Sequence, residues 1–346
     1  AALGHRPLLV LGRSAERLSS HRLALTEAGL SVISVQIVAE PDVEAIARGV
    51  AAARDAACDL VIAIGGGSVL DAGKAIAAIV PNKGEITDYL EVVGKGRTLE
   101  QPALPFVAAP TTAGTGSETT RNAVLSVPEH NVKASLRHAS MLPRVAIVDP
   151  QLTHSASPAL TASAGMDALA QLIEPFTCVA PNPTVDALCR AGIRRIARSI
   201  RRAWREGDNA DARADLSLAA LWSGMALANA KLGAVHGFAA PIGGRFAAPH
   251  GAICAALLPH VVRANLAALR RRAAESGQLG RYDEVGRILT GSSDARADDA
   301  AGFVAAQRVL LLARPDAAQV LGERRVDDSG GARPADQRLA EVADVE

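Results

Sequence analysis

Along the first half of the chain, short apolar runs alternate with longer stretches whose apolar residues recur every three or four positions. Residues 8–11 (LLVL), 32–35 and 60–64 (LVIAI) read as strands, and residues 15–28 and 43–56 read as the helices between them. Strands separated by helical segments of this length predict parallel βαβ units, with both faces of the sheet covered. Apolar runs at 106–109 and 145–148, the second ending in Asp149-Pro150, extend the same sheet. From Thr161 onward the periodicity is helical. In IRRIARSIRRAWRE, Ile193, Ile196, Ile200 and Trp204 share one helix face, and Arg194, Arg195, Arg198, Arg201, Arg202 and Arg205 cover the other. That arginine side reads as a solvated face in preference to an anion or nucleic-acid patch. The pattern predicts an α/β N-terminal domain with a parallel sheet over residues 1–152 and an all-α domain over residues 153–346. The stretch from about Arg314 onward is polar, weakly periodic and read as loosely ordered.

Composition narrows the partners. The 346 residues carry 37 Lys+Arg against 36 Asp+Glu, a formal charge of 37 − 36 = +1, which excludes a protein held on nucleic acid by bulk charge. Aromatics at 3% leave little for a base-stacking platform. Cys58, Cys178, Cys189 and Cys254 are widely spaced with no CxxC pair, so the expectation is neither a disulfide framework nor a thiolate zinc site, and a reducing, cytoplasmic setting. No stretch approaches the ~18 uninterrupted apolar residues of a membrane span. The opening apolar run stops at Gly12 without a small-residue cleavage site, so it reads as a buried strand, not a signal peptide. Because the chain starts almost on that strand, a segment before residue 1 is expected.

Two loops carry the first candidate chemistry. VIAIGGGSVLDAGKAIA is a strand, then Gly65, Gly66, Gly67 and Ser68, then a helix to about Ile79. Such glycines let backbone approach a pyrophosphate, whose charge the unpaired N–H groups of the helix start favour. A tight βα turn with no ligand also needs glycine, and neither the GxGxxG nor the GxxxxGK[ST] spacing is met. PTTAGTGSETT follows the 106–109 strand and offers Thr111, Thr112, Thr115 and Ser117 hydroxyls to phosphate and ribose oxygens; a polar loop or helix cap is the alternative. Two such loops at successive strand ends describe one crevice in an open parallel sheet. At the end of the first strand, where a carboxylate would hold the adenosine ribose, stand Gly12, Arg13 and Ser14. With no acid there to repel a 2′-phosphate, NADP(H) is as well suited as NAD(H), unless Arg13 is simply an exposed loop residue.

The helical half holds the second candidate. In SAGMDALAQLIEP, Asp167 and Gln171 are at i and i+4, so both project from one helix face. His236 and His250 each precede a glycine, Gly237 and Gly251, at the start of helical patterns. One carboxylate and two imidazoles suit Fe²⁺, Zn²⁺ or a similar divalent ion. Gln171 would add a weak amide oxygen or leave that position to water. The alternatives are an Asp cap and histidines satisfied by backbone carbonyls. Glu174, near the end of the same run, reads as a partner behind a ligand or as a surface pair, and His260 as a packing or pocket-edge residue.

GGGSVLDAGKAIA, PTTAGTGSETTRNAV, LPRVAIVDPQLT, SAGMDALAQLIEP and AVHGFAAPIGGRFAAPHGAICAALLPHVVRAN, in that order, resemble the iron-containing (group III) alcohol dehydrogenase family over roughly residues 8–290. The resemblance implies an N-terminal Rossmann-like domain, a C-terminal helical domain and an active site between them. It places the pyrophosphate loop on Gly65, Gly66, Gly67 and Ser68, with Asp71 on the nicotinamide side. It also places the second nucleotide loop on Thr111, Thr112 and Thr115, and a lysine near the cofactor on Lys133. The family's metal ligands, one Asp and three His, correspond to Asp167, Gln171, His236 and His250. Two departures stand out: Gln171 occupies a histidine position, and Ala240 occupies that of a histidine tied to proton movement. The polar stretch after about Arg314 does not match what the family leads one to expect.

The function implied is reversible hydride transfer between an NAD(P)(H) nicotinamide and a small alcohol, assisted by Fe²⁺ or Zn²⁺ on the candidate ligands, in a homodimer without nucleic-acid or membrane partners. The alternatives on the same scaffold are a maleylacetate reductase-like enzyme, a dehydroquinate synthase-like lyase, and a silent nucleotide-binding protein. Phe238 and Phe246, amid Ala239, Ala240, Ala247 and Ala248, predict a pocket lined by small apolar groups.

Overall fold

The computed structural model describes residues 3–13, 15–246 and 248–312; Ser14, Ala247 and the polar stretch from Arg314 lie outside the described residues. In chain order the first half runs β1 (Pro7–Gly12), α1 (Ser19–Glu27) after a 3-10 turn at Ala15–Leu18, β2 (Ile33–Ile37), α2 (Val43–Asp55), β3 (Leu60–Gly65), α3 (Gly67–Ile79), α4 (Ile86–Tyr89), β4 (Phe106–Pro110), β5 (Asn122–Val127), β6 (Val132–Arg137) and β7 (Val145–Ala146). Five of the strands form a parallel sheet in the order β2-β1-β3-β4-β7. Leu8 pairs with both Ile33 and Val61, and Val61 pairs in turn with Phe106. All six residues of β3 are buried, since α3 and its neighbours cover one face and the α1 region the other, so the strand reads as continuously apolar.

Three details differ from expectation. The helix expected over 15–28 is split into the 3-10 turn and α1, and neither piece buries a residue; the apolar stripe is too thin to seat a helix firmly, and Leu23 faces solvent. The strand expected at 145–148 is two residues long, because the chain turns at once into a 3-10 turn at Pro150–Thr153. Thirdly, β5 and β6 form an antiparallel hairpin, Asn122↔Arg137 through Val127↔Val132, that the sequence reading left within loops. Its alternation buries Ala123, Leu125 and Val127 in the core that α3 shares.

The strand order reverses at β1, which lies between β2 and β3. Ligands of such sheets sit outside the carboxyl ends at this switch point. Those ends carry Gly12-Arg13, Gly65-Gly66-Gly67 and Pro110-Thr111-Thr112.

The second half is helical: α5 (Pro158–Phe176), α6 (Pro183–Arg205), α7 (Ala210–Asn229), α8 (Ala234–Arg245), α9 (His250–Arg272), α10 (Gln278–Thr290) and α11 (Ala297–Leu312). Ser157 caps α5 by accepting from the Leu160 amide, and Pro158 fits the first turn, where no amide is needed. Almost all of α5 is buried, with α6, α7 and α9 packed around it. Ile193, Ile196 and Ile200 point into this core, and truncating any one to alanine would cost about 2–5 kcal/mol. α9 is long and apolar enough to cross a membrane, but it spends Ile253, Cys254, Leu258, Val262 and Leu266 on the helical core.

The opposite face of α6 is largely exposed, yet two of its arginines tie it to α7. Asp215 accepts from Arg195 Nη1 at 2.5 Å, Arg198 Nε and Nη2 at 2.5 and 2.6 Å, and Ser199 Oγ at 2.5 Å. Burial alone would raise the Asp215 pKa; the bonds from Arg198, Ser199 and Arg195 outweigh it and bring it down to about 2. A depressed carboxylate stabilises the fold above its unfolded pKa of 3.8 and loses that contribution as pH falls through about 2. Water at the half-exposed Arg198 screens the pairing, leaving roughly 1–2 kcal/mol. Asp215→Asn is therefore expected to lower the urea midpoint at neutral pH, with the gap to the parent narrowing from about pH 4 toward pH 2. A gap independent of pH would show that the carboxylate's charge is not what holds α6 to α7.

Candidate active site

Asp167 sits in the middle of α5, His236 in the first turn of α8, and His250 at the first position of α9. Three separate helices thus deliver one carboxylate and two imidazoles to one point. His236 Nε2 and His250 Nε2 each lie 3.5 Å from Asp167 Oδ1, and the imidazole centroids are 5.6 Å apart. One turn along α9, Cys254 brings its Sγ to 3.6 Å from His250 Nε2. The four ligand atoms lie within 4.8 Å of one another.

Glu174, two turns beyond Asp167 on α5, is buried against this group. Its Oε1 accepts from the Val235 amide at 2.7 Å, and its Oε2 lies 2.6 Å from His236 Nδ1. Holding Nδ1 in this way turns Nε2 toward Asp167, the usual relation of a carboxylate to a metal-binding imidazole. Burial opposes the His236 charge, but Asp167 and Glu174 more than compensate and raise its pKa to about 9. Burial would raise the Asp167 carboxyl, while the nearby charges of His250 and His236 bring it below its ordinary value.

Two buried atoms here, Asp167 Oδ1 and His236 Nε2, have no hydrogen-bond partner. Orphaned polar atoms are costly unless something else satisfies them. Around a tetrahedral ion with bonds of about 2.0–2.3 Å, neighbouring ligand atoms stand roughly 3.3–3.8 Å apart. Three of the six pairwise distances, 3.5, 3.5 and 3.6 Å, fall in that range and all six are within 4.8 Å, so these residues fit a divalent metal.

Gln171, expected among the ligands, has its amide nitrogen engaged elsewhere: Nε2 donates to the Thr115 carbonyl at 2.9 Å and to Ser223 Oγ at 3.0 Å. These bonds join the helix that carries Asp167 to the loop at Thr115. Ser223 adds a bond to the Gly114 carbonyl, and Gly116, at φ 60°, lies so close to Gly224 that a β-carbon on either would meet backbone within about 2.5 Å. Only glycine fits that crossing.

The first loop meets the second directly. A β-carbon on Gly67 would lie 2.9 Å from the Thr115 side chain, and one on Gly66 would lie 3.3 Å from that of Thr112. The Thr111 amide donates to the Gly65 carbonyl at 2.9 Å. α3 starts with Gly66 at the cap and no side chain over its first amides, leaving them open to an anion. Gly12 and Arg13 lie at the end of the neighbouring β1; Arg13 is exposed and donates to the Val38 carbonyl at 2.9 Å.

The other named positions have these surroundings. Asp71 accepts from Ser117 Oγ at 2.5 Å and the Val124 amide at 3.0 Å and pairs with Lys74, so it braces the second loop. Lys133 is buried in an ion pair with Glu40 at 2.5 Å. His260 is exposed on α9, and Phe238 and Phe246 are about half exposed. The sequence reading missed Lys74, Ser223 and Cys254. Lys74 and Ser223 carry no local signal, whereas His250 and Cys254 at i and i+4 do share a helix face.

A parallel sheet with glycine- and threonine-rich loops at its switch point, and a carboxylate-and-imidazole cluster whose helix is bonded to the second loop through Gln171, is the arrangement of a two-part metal-dependent nucleotide enzyme. The sequence matches the profile described as iron-containing alcohol dehydrogenase over residues 1–150, and that of the C-terminal part of the Fe-containing alcohol dehydrogenase family over residues 161–342. The chain belongs to the iron-containing alcohol dehydrogenase family. The second match includes the stretch after Arg314, which corrects the expectation that it departs from the family.

Long-chain-alcohol dehydrogenase 1 of Geobacillus thermodenitrificans is 44% identical over 239 residues, 69% of this chain; the chain spans 60% of that relative's length. The 1,3-propanediol dehydrogenase of Klebsiella pneumoniae is 37% identical, covering 88% of this chain and 76% of its own. A solved structure of sulfoacetaldehyde reductase from Bifidobacterium kashiwanohense, in complex with NAD⁺, superposes with a TM-score of 0.78 at 30% identity, over 89% of this chain and 78% of that one. These relatives favour neither the maleylacetate reductase-like nor the dehydroquinate synthase-like alternative.

Proposed function

We propose that this chain interconverts a small alcohol and its aldehyde or ketone by hydride transfer to and from NAD(P). The observation that carries the reading is the convergence of Asp167, His236 and His250 on one point, with Gln171 joining that group to the nucleotide loop. Asp167, His236 and His250 would hold the metal. When bound, such an ion supplies Lewis acidity to the substrate oxygen, as nicotinamide supplies the hydride chemistry.

The chain's own part is positioning. Glu174 fixes the His236 ring, Gly65, Gly66, Gly67 and Ser68 present backbone to the pyrophosphate, and Thr111, Thr112 and Thr115 offer hydroxyls beside it. Ala240 carries no proton acceptor, so any proton relay at that position falls to a water or to the substrate. The test is oxidation of NADH and NADPH over a panel of aldehydes and ketones, with and without a chelator. Activity that survives complete metal removal would overturn the reading.

Arg13 bears on the choice of nucleotide. With no carboxylate at the end of β1 and donors left on its guanidinium, it suits a 2′-phosphate. Arg13→Ala is expected to raise KM for NADPH about tenfold, the value of a lost charge-assisted bond, while leaving KM for NADH nearly unchanged. Equal losses with both nucleotides would remove the NADP preference.

A further inference from the structure

The fourth corner of the cluster is taken by a residue that the resemblance does not supply. Gln171, which the resemblance sets at a histidine position, donates its amide nitrogen to Thr115 and Ser223, so only its oxygen, a weak ligand, is left for an ion. Cys254 is fully buried, one helical turn beyond His250, with its Sγ 3.6 Å from His250 Nε2 and in ligand range of Asp167 and His236. The unpartnered Asp167 Oδ1 and His236 Nε2 face the same point. The absence of a CxxC pair had argued against a thiolate site, but thiolate ligation requires only one sulfur at the right place. On this face of α9, a His-x-x-x-Cys spacing provides it.

We propose that Cys254 is the fourth protein ligand, which makes the set one carboxylate, two imidazoles and one thiolate. The proposal rests on the metal reading of the preceding section. On metal uptake the thiol gives its proton to solvent and its sulfur lone pair to the ion, with no change of oxidation state. A soft thiolate in place of a third imidazole shifts the site toward Zn²⁺ and Co²⁺ over Fe²⁺.

The test is anaerobic loading of the metal-free protein with Co²⁺, with uptake measured by elemental analysis and coordination by absorption spectroscopy. The parent is expected to bind one Co²⁺ with visible ligand-field bands and a sulfur-to-cobalt charge-transfer band in the near ultraviolet. Cys254→Ser should lose the charge-transfer band. Its Zn²⁺ affinity should fall by at least the roughly 10–100-fold that losing a ligand's supporting partner costs. Because Cys58, Cys178 and Cys189 remain in that variant, adventitious thiol binding would leave the band in place. Circular dichroism and nucleotide binding establish that the variant is folded; should it not fold, Cys254→Ala supplies the same readout. Cobalt bound without a charge-transfer band, or a band that survives loss of Cys254, overturns the ligand assignment alone. Failure of the parent to bind cobalt at all overturns the metal reading with it.

Discussion

His236→Ala is expected to lower kcat/KM by about 10³-fold or more, close to 4 kcal/mol of transition-state stabilisation, while NAD(P)H binding stays nearly unchanged. The separation follows from where the residue sits. His236 belongs to α8 and faces Asp167 and Glu174, whereas the nucleotide loops follow β3 and β4 and make no hydrogen bond to it among the described residues. Removing the ring takes one ligand from the cluster and leaves Glu174 holding only the Val235 amide. Metal content, fluorescence titration of NAD(P)H and turnover distinguish the outcomes. Lost turnover with lost metal and intact nucleotide binding is expected; near-parental turnover would rule out a metal role for this cluster.

Lys74→Met is expected to destabilise the folded chain by about 3–5 kcal/mol, the cost of breaking a buried ion pair by removing one partner. The Lys74 side chain has no exposure at all. Its Nζ reaches Asp71 Oδ1, the Ser117 carbonyl and Thr120 Oγ1 at 3.0 Å each, and the Asn122 carbonyl at 2.5 Å. Methionine fills the volume of the stem but strands the Asp71 carboxylate and two carbonyls. Urea unfolding gives the magnitude, and the double variant Asp71→Asn/Lys74→Met should recover part of it, since the stranded charge is then gone. Additive losses in the double variant would show that Lys74 acts through packing alone.

The sequence made the sheet and its phosphate loop legible because each reports itself locally. An apolar run into Gly65-Gly66-Gly67 and then a helix is one continuous signal, and Ile193, Ile196 and Ile200 give away a helix face by spacing alone. The hairpin was harder to see: Asn122–Val127 and Val132–Arg137 alternate correctly, but each is only six residues long and adjoins a loop rich in threonine and glycine. Asp167, His236 and His250 were picked out by residue type and family order, since their convergence depends on how three helices pack. Lys74 inside a helix looks like any solvated lysine until three of its four oxygen partners are brought in by a segment more than forty residues away. Cys254 is less legible, because a lone cysteine has no paired spacing and only its place one turn after His250 reports it.

The link between Gln171 and Thr115 has a thermodynamic consequence. The amide that steadies the nucleotide loop is anchored on the same helix as Asp167, one turn away, with Gly116 and Gly224 locked together alongside. On the proposed function, work done in ordering the loop around a pyrophosphate would be done partly on the helix that carries Asp167. Linkage then requires reciprocity: whatever factor the nucleotide applies to metal affinity, the metal applies to nucleotide affinity. On the proposed function, metal and nucleotide would be coupled through one side chain, that of Gln171.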